Sequence, residues 1–150
     1  MGMEVTLRGY RPGDVEAMYR LDVLCFEPVF RFSRGAMRRF AEAEEAVTVL
    51  AEAEGELVGF GIAEVEGAAG YVVTVDVARA RRGRGLGRRL MEELEARSRA
   101  AGAGTMLLHV FAGNAGAMRL YEGLGYARVG VAAGFYGTGL DGLMYEKRLG

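Results

Sequence analysis

Residues 71–101 read YVVTVDVARARRGRGLGRRLMEELEARSRAA, and what this stretch must form places the rest of the chain. From Tyr71 to Val77 most residues are β-branched or aromatic, the composition of a buried strand. After Gly85 the apolar residues recur at helical spacing, with Leu86, Leu90 and Leu94 on one stripe. Arg88 with Glu92, Arg89 with Glu93, Glu93 with Arg97 and Glu95 with Arg99 stand four apart on the other face, where opposite charges meet. The stretch predicts a strand, a glycine-rich loop and a half-buried helix.

The loop carries Gly83, Gly85 and Gly87 at the start of that helix. Without Cβ atoms its backbone can approach a ligand closely, and the first-turn N–H groups have no intrahelical acceptor. The helix dipole adds about 0.3–1 kcal/mol for a negative group, and each hydrogen bond to a charged oxygen about 1.5–3 kcal/mol. Main chain alone can therefore hold a pyrophosphate, with neighbouring arginines adding steering. The alternative, a solvated turn in a glycine-rich chain, gives no reason for the loop to sit between a strand and a helix start.

Outward from this stretch, 150 residues make one domain, 1–150, with length for a single substantial core. No apolar run approaches membrane-spanning length, and MGMEVTLRGY lacks the charged start and apolar middle of a signal peptide. A cytoplasmic protein is expected. One cysteine, Cys25, excludes an internal disulfide, and with one histidine it cannot assemble a usual zinc site, so no metal is expected. All but one of the 19 basic residues are arginine, and six lie between Arg79 and Arg89. Neither basic excess nor interleaved aromatics accompany them, so a local anion pocket fits better than a nucleic-acid surface.

Upstream, Glu4 to Arg8 reads as a first strand, and Asp14 as the cap of a helix to about Cys25 with Val15, Met18, Leu21 and Val23–Leu24 on its apolar side. Residues 26–32 place three phenylalanines around Pro28, as core plugs or a pocket wall. Ser33 caps a second helix to about Glu42, with Met37 and Phe40 facing inward. Val47–Ala51 and Leu57–Val65 form a hairpin across Glu54-Gly55-Glu56. Downstream, Gly102 and Gly104 end the central helix before a strand, Met106 to Phe111, that contains the sole histidine, His109. Asn114 caps a short helix from Ala115 to Leu124, and strands at about Tyr126–Val131 and Leu140–Leu149 finish the chain. The fold class is α/β, a mixed and mostly antiparallel sheet of about seven strands with about four helices.

Three features at fixed distances resemble one superfamily. Arg82-x-x-Gly85-x-Gly87, after a strand and before a helix, resembles the Arg/Gln-x-x-Gly-x-Gly/Ala signature of GCN5-related N-acetyltransferases. Residues 108–114, LHVFAGN, and 121–126, YEGLGY, resemble that family's second half. The match covers roughly Leu57 to the C-terminus, and the N-terminal part in element order alone. Rival phosphate motifs fail: a P-loop needs Gly-Lys-Ser/Thr where this chain has Gly87-Arg88-Arg89.

The resemblance implies acetyl-CoA as acetyl donor, held where the central strands splay. It implies acetyl and pantetheine on the backbone of Val75, Asp76 and Val77, pyrophosphate on the loop Arg82, Gly83, Arg84, Gly85, Leu86, Gly87 and Arg88, and Asn114 against the pantetheine arm. Tyr121 matches the family's tyrosine acid, and a phenol of pKa near 10 is able to donate at neutral pH. A buried structural tyrosine is the other reading.

Bacterial members that acetylate the N-terminus of a ribosomal protein usually carry Glu where this chain has His109. In a branch of protein N-terminal acetyltransferases, a His there and a Tyr on the central strand hold a water that takes the amine's proton, and Tyr71 and His109 match that pair. Core histidine and strand tyrosine are the competing readings. At pH 7 deprotonating an α-amine costs about 1 kcal/mol and a lysine about 4.6, so a mild base favours an N-terminus. Phe26, Pro28 and Val29, with Phe135 and Tyr136, resemble the loops that grip a peptide N-terminus in that branch, while Glu27 has no counterpart and could bind the substrate's ammonium. The expected acceptor is a peptide or protein N-terminus. The alternatives are lysine or a small amine, or a non-catalytic acyl-CoA-binding domain, and the oligomeric state stays open.

Overall fold

The computed structural model describes residues 4–150. Strand β1 is Thr6–Gly9, helix α1 Val15–Cys25, α2 Arg34–Glu42, β2 Ala46–Ala53 and β3 Glu56–Glu66. Then come β4 at Ala69–Val77, α3 at Leu86–Ala100, β5 at Thr105–Phe111, α4 at Ala115–Gly123, β6 at Ala127–Ala132 and β7 at Gly142–Arg148. One sheet runs β1-β2-β3-β4-β5-β7-β6. All its pairings are antiparallel except β4 with β5, which α3 connects by a crossover.

The sheet separates two apolar clusters. Leu86, Leu90 and Leu94 of α3 pack on one face with Val49, Val72, Met106, Leu108 and Tyr121, all buried. Met18 and Leu21 of α1 and Met37 of α2 cover Leu50, Phe60 and Ile62 on the other. The α3 contact is close because the sheet offers glycine beneath it: a Cβ on Gly61 would stand 2.6 Å from Leu94 Cδ1.

Several local expectations take different form. Asp14 does not cap α1: its carboxylate turns back to the Arg8 guanidinium at 2.8 Å and to the Arg11 amide at 2.7 Å. Leu24 lies on the outer side of α1 and is exposed. On α3, Arg88–Glu92 and Glu93–Arg97 pair as spaced. Arg89 reaches the Val5 carbonyl, and Glu95 takes Lys147 and the Tyr126 hydroxyl, both at 2.8 Å, because tertiary partners bring better geometry than the helix neighbours. Ser33 and Asn114 cap α2 and α4 as read, accepting from the Ala36 and Ala117 amides.

The feature that positions the site is a split in the sheet. On β4, Ile62 pairs with Thr74 and Ala63 with Val72, leaving Val73 as the extra residue of a bulge. Strands β4 and β5 pair only from Ala69–Thr105 to Val72–Leu108, ending at that bulge. Beyond it β5 follows β7 as far as Phe111–Gly142 while β4 stays with β3 up to Val77–Gly59. The two strands diverge into an open gap.

Candidate active site

Main chain forms one wall of the gap. The Ala78 amide bonds to the Val58 carbonyl, so alternate residues of β4 turn their amides toward β3 and those of Val75 and Val77 face the opening. Asp76 therefore offers no main chain to a ligand, contrary to the expectation for all three residues, and its side chain is buried on the α1 side. The Val77 carbonyl already accepts Cys25 Sγ–H at 3.3 Å and Arg82 Nε at 3.1 Å.

Two cavities meet in the gap. The larger, about 600 Å³, runs from Val75 and Val77 past Gly83, Gly85, Leu86, Gly87 and Arg88. Gly83 and Gly85 are left-handed, at φ 76° and 80°, with open space where a Cβ would stand. The first capping bond of α3 runs from the Arg89 amide to the Gly85 carbonyl, so the amides of Leu86, Gly87 and Arg88 precede any intrahelical partner. Gly87 permits α4 to lie close, since a Cβ there would stand 3.3 Å from Leu120 Cδ2. Arg81 and Arg119 also line this cavity. Arg84 is exposed and off the wall, and Arg82 is held by Val77. An open main-chain edge, a ring of unpaired amides and flanking guanidiniums fit an extended thioester with a diphosphate at its far end.

The second cavity, about 420 Å³, lies toward α1 and is lined by Phe26, Glu27, Phe30, Phe32, Thr74, His109, Phe111 and Tyr136 among others. Of the three phenylalanines read as plugs or wall, Phe32 packs on Phe40 in the core while also reaching this cavity, and Phe30 stands against Phe111 and Tyr136. Pro28 and Val29 are not on the wall; they make the short turn that presents Phe30, and Val29 is exposed. Among the described residues Glu27 is the one charged side chain on this wall.

His109 stands at the end of this cavity, with its ring stacked on Phe135 at 4.0 Å and 6°. Its Nδ1 is 2.8 Å from the Tyr71 hydroxyl. The two groups expected to hold a water thus touch each other directly, which leaves His109 Nε2 for that water or for the amine. Burial lowers the His109 pKa below its usual 6.5 and raises that of Tyr71. Burial also pushes Tyr136 up to about 12.

Tyr121 of α4 lines both cavities where they meet, with Asn114, Ala117, Val75, Phe26 and Cys25. Its phenol is buried, which raises its pKa strongly and keeps it protonated. The neighbouring tyrosines are tied, Tyr126 to Glu95 and Tyr145 to Glu122, while no hydrogen bond within the described residues engages the Tyr121 hydroxyl. Cys25, Thr74, Arg81 and Arg119 also belong to the walls. Arg81 was visible in the arginine cluster, whereas nothing local marked Cys25, Thr74 or Arg119.

Residues 15–126 match the acetyltransferase (GNAT) family. A mycothiol acetyltransferase of Thermobispora bispora is 39% identical over 140 residues, which cover 83% of this chain and 47% of that protein. The chain thus spans about half the length of this curated relative. Among solved structures, the ribosomal-protein-S18-alanine N-acetyltransferase of Escherichia coli superposes with a TM-score of 0.88 at 23% identity, over 97% of this chain and 94% of that one. NAA60 of Arabidopsis thaliana, bound to a bisubstrate analogue, gives 0.85 at 24% identity over 97% and 98%. NAA60 was also solved with acetyl-CoA. With the split sheet, the glycine loop and the family match in agreement, this chain belongs to the acetyltransferase (GNAT) family.

Proposed function

We propose that the acceptor is the α-amine at the N-terminus of a peptide or protein. The observation that carries this reading is the Tyr71–His109 hydrogen bond at the end of a cavity whose wall is aromatic and whose one charge is Glu27. An aromatic-lined cavity of this size suits the first side chain of a peptide, and the Glu27 carboxylate suits its ammonium.

Bound in the gap, acetyl-CoA supplies an activated acetyl thioester. The unpaired amides of Val75 and Val77 orient its acyl end, and Asn114 caps α4 while facing the same space. His109 receives the proton that the ammonium loses. With hydrogen on Nδ1 the lone pair of Nε2 takes it; in the other tautomer Tyr71 passes its own proton to Nδ1 while accepting one, so the net charge ends on the imidazole either way. Tyr121 keeps a proton on its hydroxyl at the junction of the cavities, where a leaving sulfur needs one.

The test is thiol release from acetyl-CoA over short peptides with free or blocked N-termini, with and without lysine, followed by mass mapping of the acetyl group. Acetate on free N-termini alone is the expected result; acetate confined to lysine overturns the reading. The 39% identity to a mycothiol acetyltransferase supports a second reading, a small-molecule amine, which turnover of such amines with no modified peptide would favour.

A further inference from the structure

Asp22 and Asp76 are carboxyls that the transfer chemistry leaves unused, and they are buried, at 0% and 1% exposure. One oxygen of each is satisfied: Asp22 Oδ2 accepts the Phe32 amide at 2.8 Å and Asp76 Oδ1 accepts Thr74 Oγ1 at 2.7 Å. Their other oxygens, Asp22 Oδ1 and Asp76 Oδ2, have no hydrogen-bond partner among the described residues, and the two buried carboxyls lie against each other. Ionised carboxylates only accept, and they repel each other. A single proton between them satisfies both orphaned oxygens and leaves one negative charge.

The surroundings favour that state. Facing Asp76 are Asp22 and Cys25 from α1, Thr74 on its own strand, Tyr121 from α4, and Arg82 from the loop, the one cation among the described residues. Burial, then the bond and charge of Asp22, raise the Asp76 pKa well above the ordinary carboxyl range, and Arg82 opposes this only weakly.

Asp22 also holds both ends of the segment between α1 and α2. Its carbonyl accepts the Phe26 amide at 3.1 Å and its carboxylate the Phe32 amide. Phe26, Phe30 and Phe32 line the acceptor cavity, and Asp76 lies between the two residues whose main chain faces the gap. The pair thus ties the acceptor-side loop to the donor-side strand.

Resting on the acceptor reading above, we propose that Asp22 and Asp76 share one proton and that this acid–carboxylate bridge positions the loop 26–32 for acceptor binding. Both are positioning residues. The bridge is complete while the proton is held, and it opens as pH rises through the raised pKa of Asp76, when two buried negative charges face each other. Acceptor affinity then falls on the alkaline side while the glycine loop is untouched.

The test begins with carbon-13 NMR of aspartate-labelled protein, whose four carboxyls are Asp14, Asp22, Asp76 and Asp141. A carboxyl carbon still at a protonated shift at pH 7, and displaced in Asp76→Asn, is expected; four fully ionised carboxyls overturn the proposal whatever the enzyme's substrate. The second arm compares Asp22→Ala with Asp22→Asn, whose amide can both donate to Asp76 and accept from Phe32. Asp22→Ala should lose hydrogen-exchange protection at the Phe32 amide and raise acceptor KM about tenfold with kcat little changed, and Asp22→Asn should restore both. Unaltered protection in Asp22→Ala, or equal KM in the two variants, overturns the positioning role. The NMR and exchange measurements need no turnover, so failure of the N-terminal reading is distinguishable from failure of the bridge.

Discussion

At the scale of single residues, the site rests on side chains whose protonation is set by burial. His109 titrates below its ordinary value, so kcat should rise as pH increases through a pKa under 6.5 and level off above it. In His109→Ala this acid limb should vanish, with acetyl-CoA affinity by calorimetry unchanged; an identical pH profile would remove His109 from the chemistry. Tyr121→Phe deletes a hydroxyl with no partner among the described residues, so its stability should stay within about 1 kcal/mol in urea. Its kcat should fall about 10²-fold or more, the range of a lost general acid. As candidates, Tyr71, Tyr121 and His109 were readable from the family resemblance. The direct Tyr71–His109 contact was not, because it depends on how β4 and β5 are aligned across the sheet.

Among elements, the loop between β4 and α3 shows how far local chemistry reaches. Gly85 caps α3 in the left-handed region, a conformation that L side chains adopt at a cost of about 1–2 kcal/mol. Gly85→Ala should therefore lower stability by about that amount, and the new Cβ enters the open space beside the first-turn amides. Weaker acetyl-CoA binding, about tenfold by calorimetry, is expected. Tight binding with unchanged stability would mean that the loop does not hold the diphosphate. The glycine spacing made the loop legible, since positive φ and an uncapped helix start are local properties. The Asp14 cap failed for the converse reason: an arginine of the preceding strand offered a charge-assisted partner that no local rule foresees.

For the whole molecule, one sheet is shared by two cores, and the gap that holds the site exists because β4 leaves β5 while each keeps its other neighbour. Leu94 and Met37 lie in opposite cores, both fully buried. Leu94→Ala and Met37→Ala should each cost about 2–5 kcal/mol and shift a single cooperative transition, as the common sheet couples the faces. Two separate transitions by calorimetry would mean that the clusters fold independently. Element order, the half-buried helix, the caps of α2 and α4 and the glycine-rich loop were decided by sequence, because periodicity, capping and glycine freedom act within a few residues. Tertiary structure alone decided the bulge at Val73, the gap it opens, the tying of Arg82 to Val77 and the meeting of Asp22 with Asp76. Those depend on strand register and on partners distant along the chain, which no local pattern specifies.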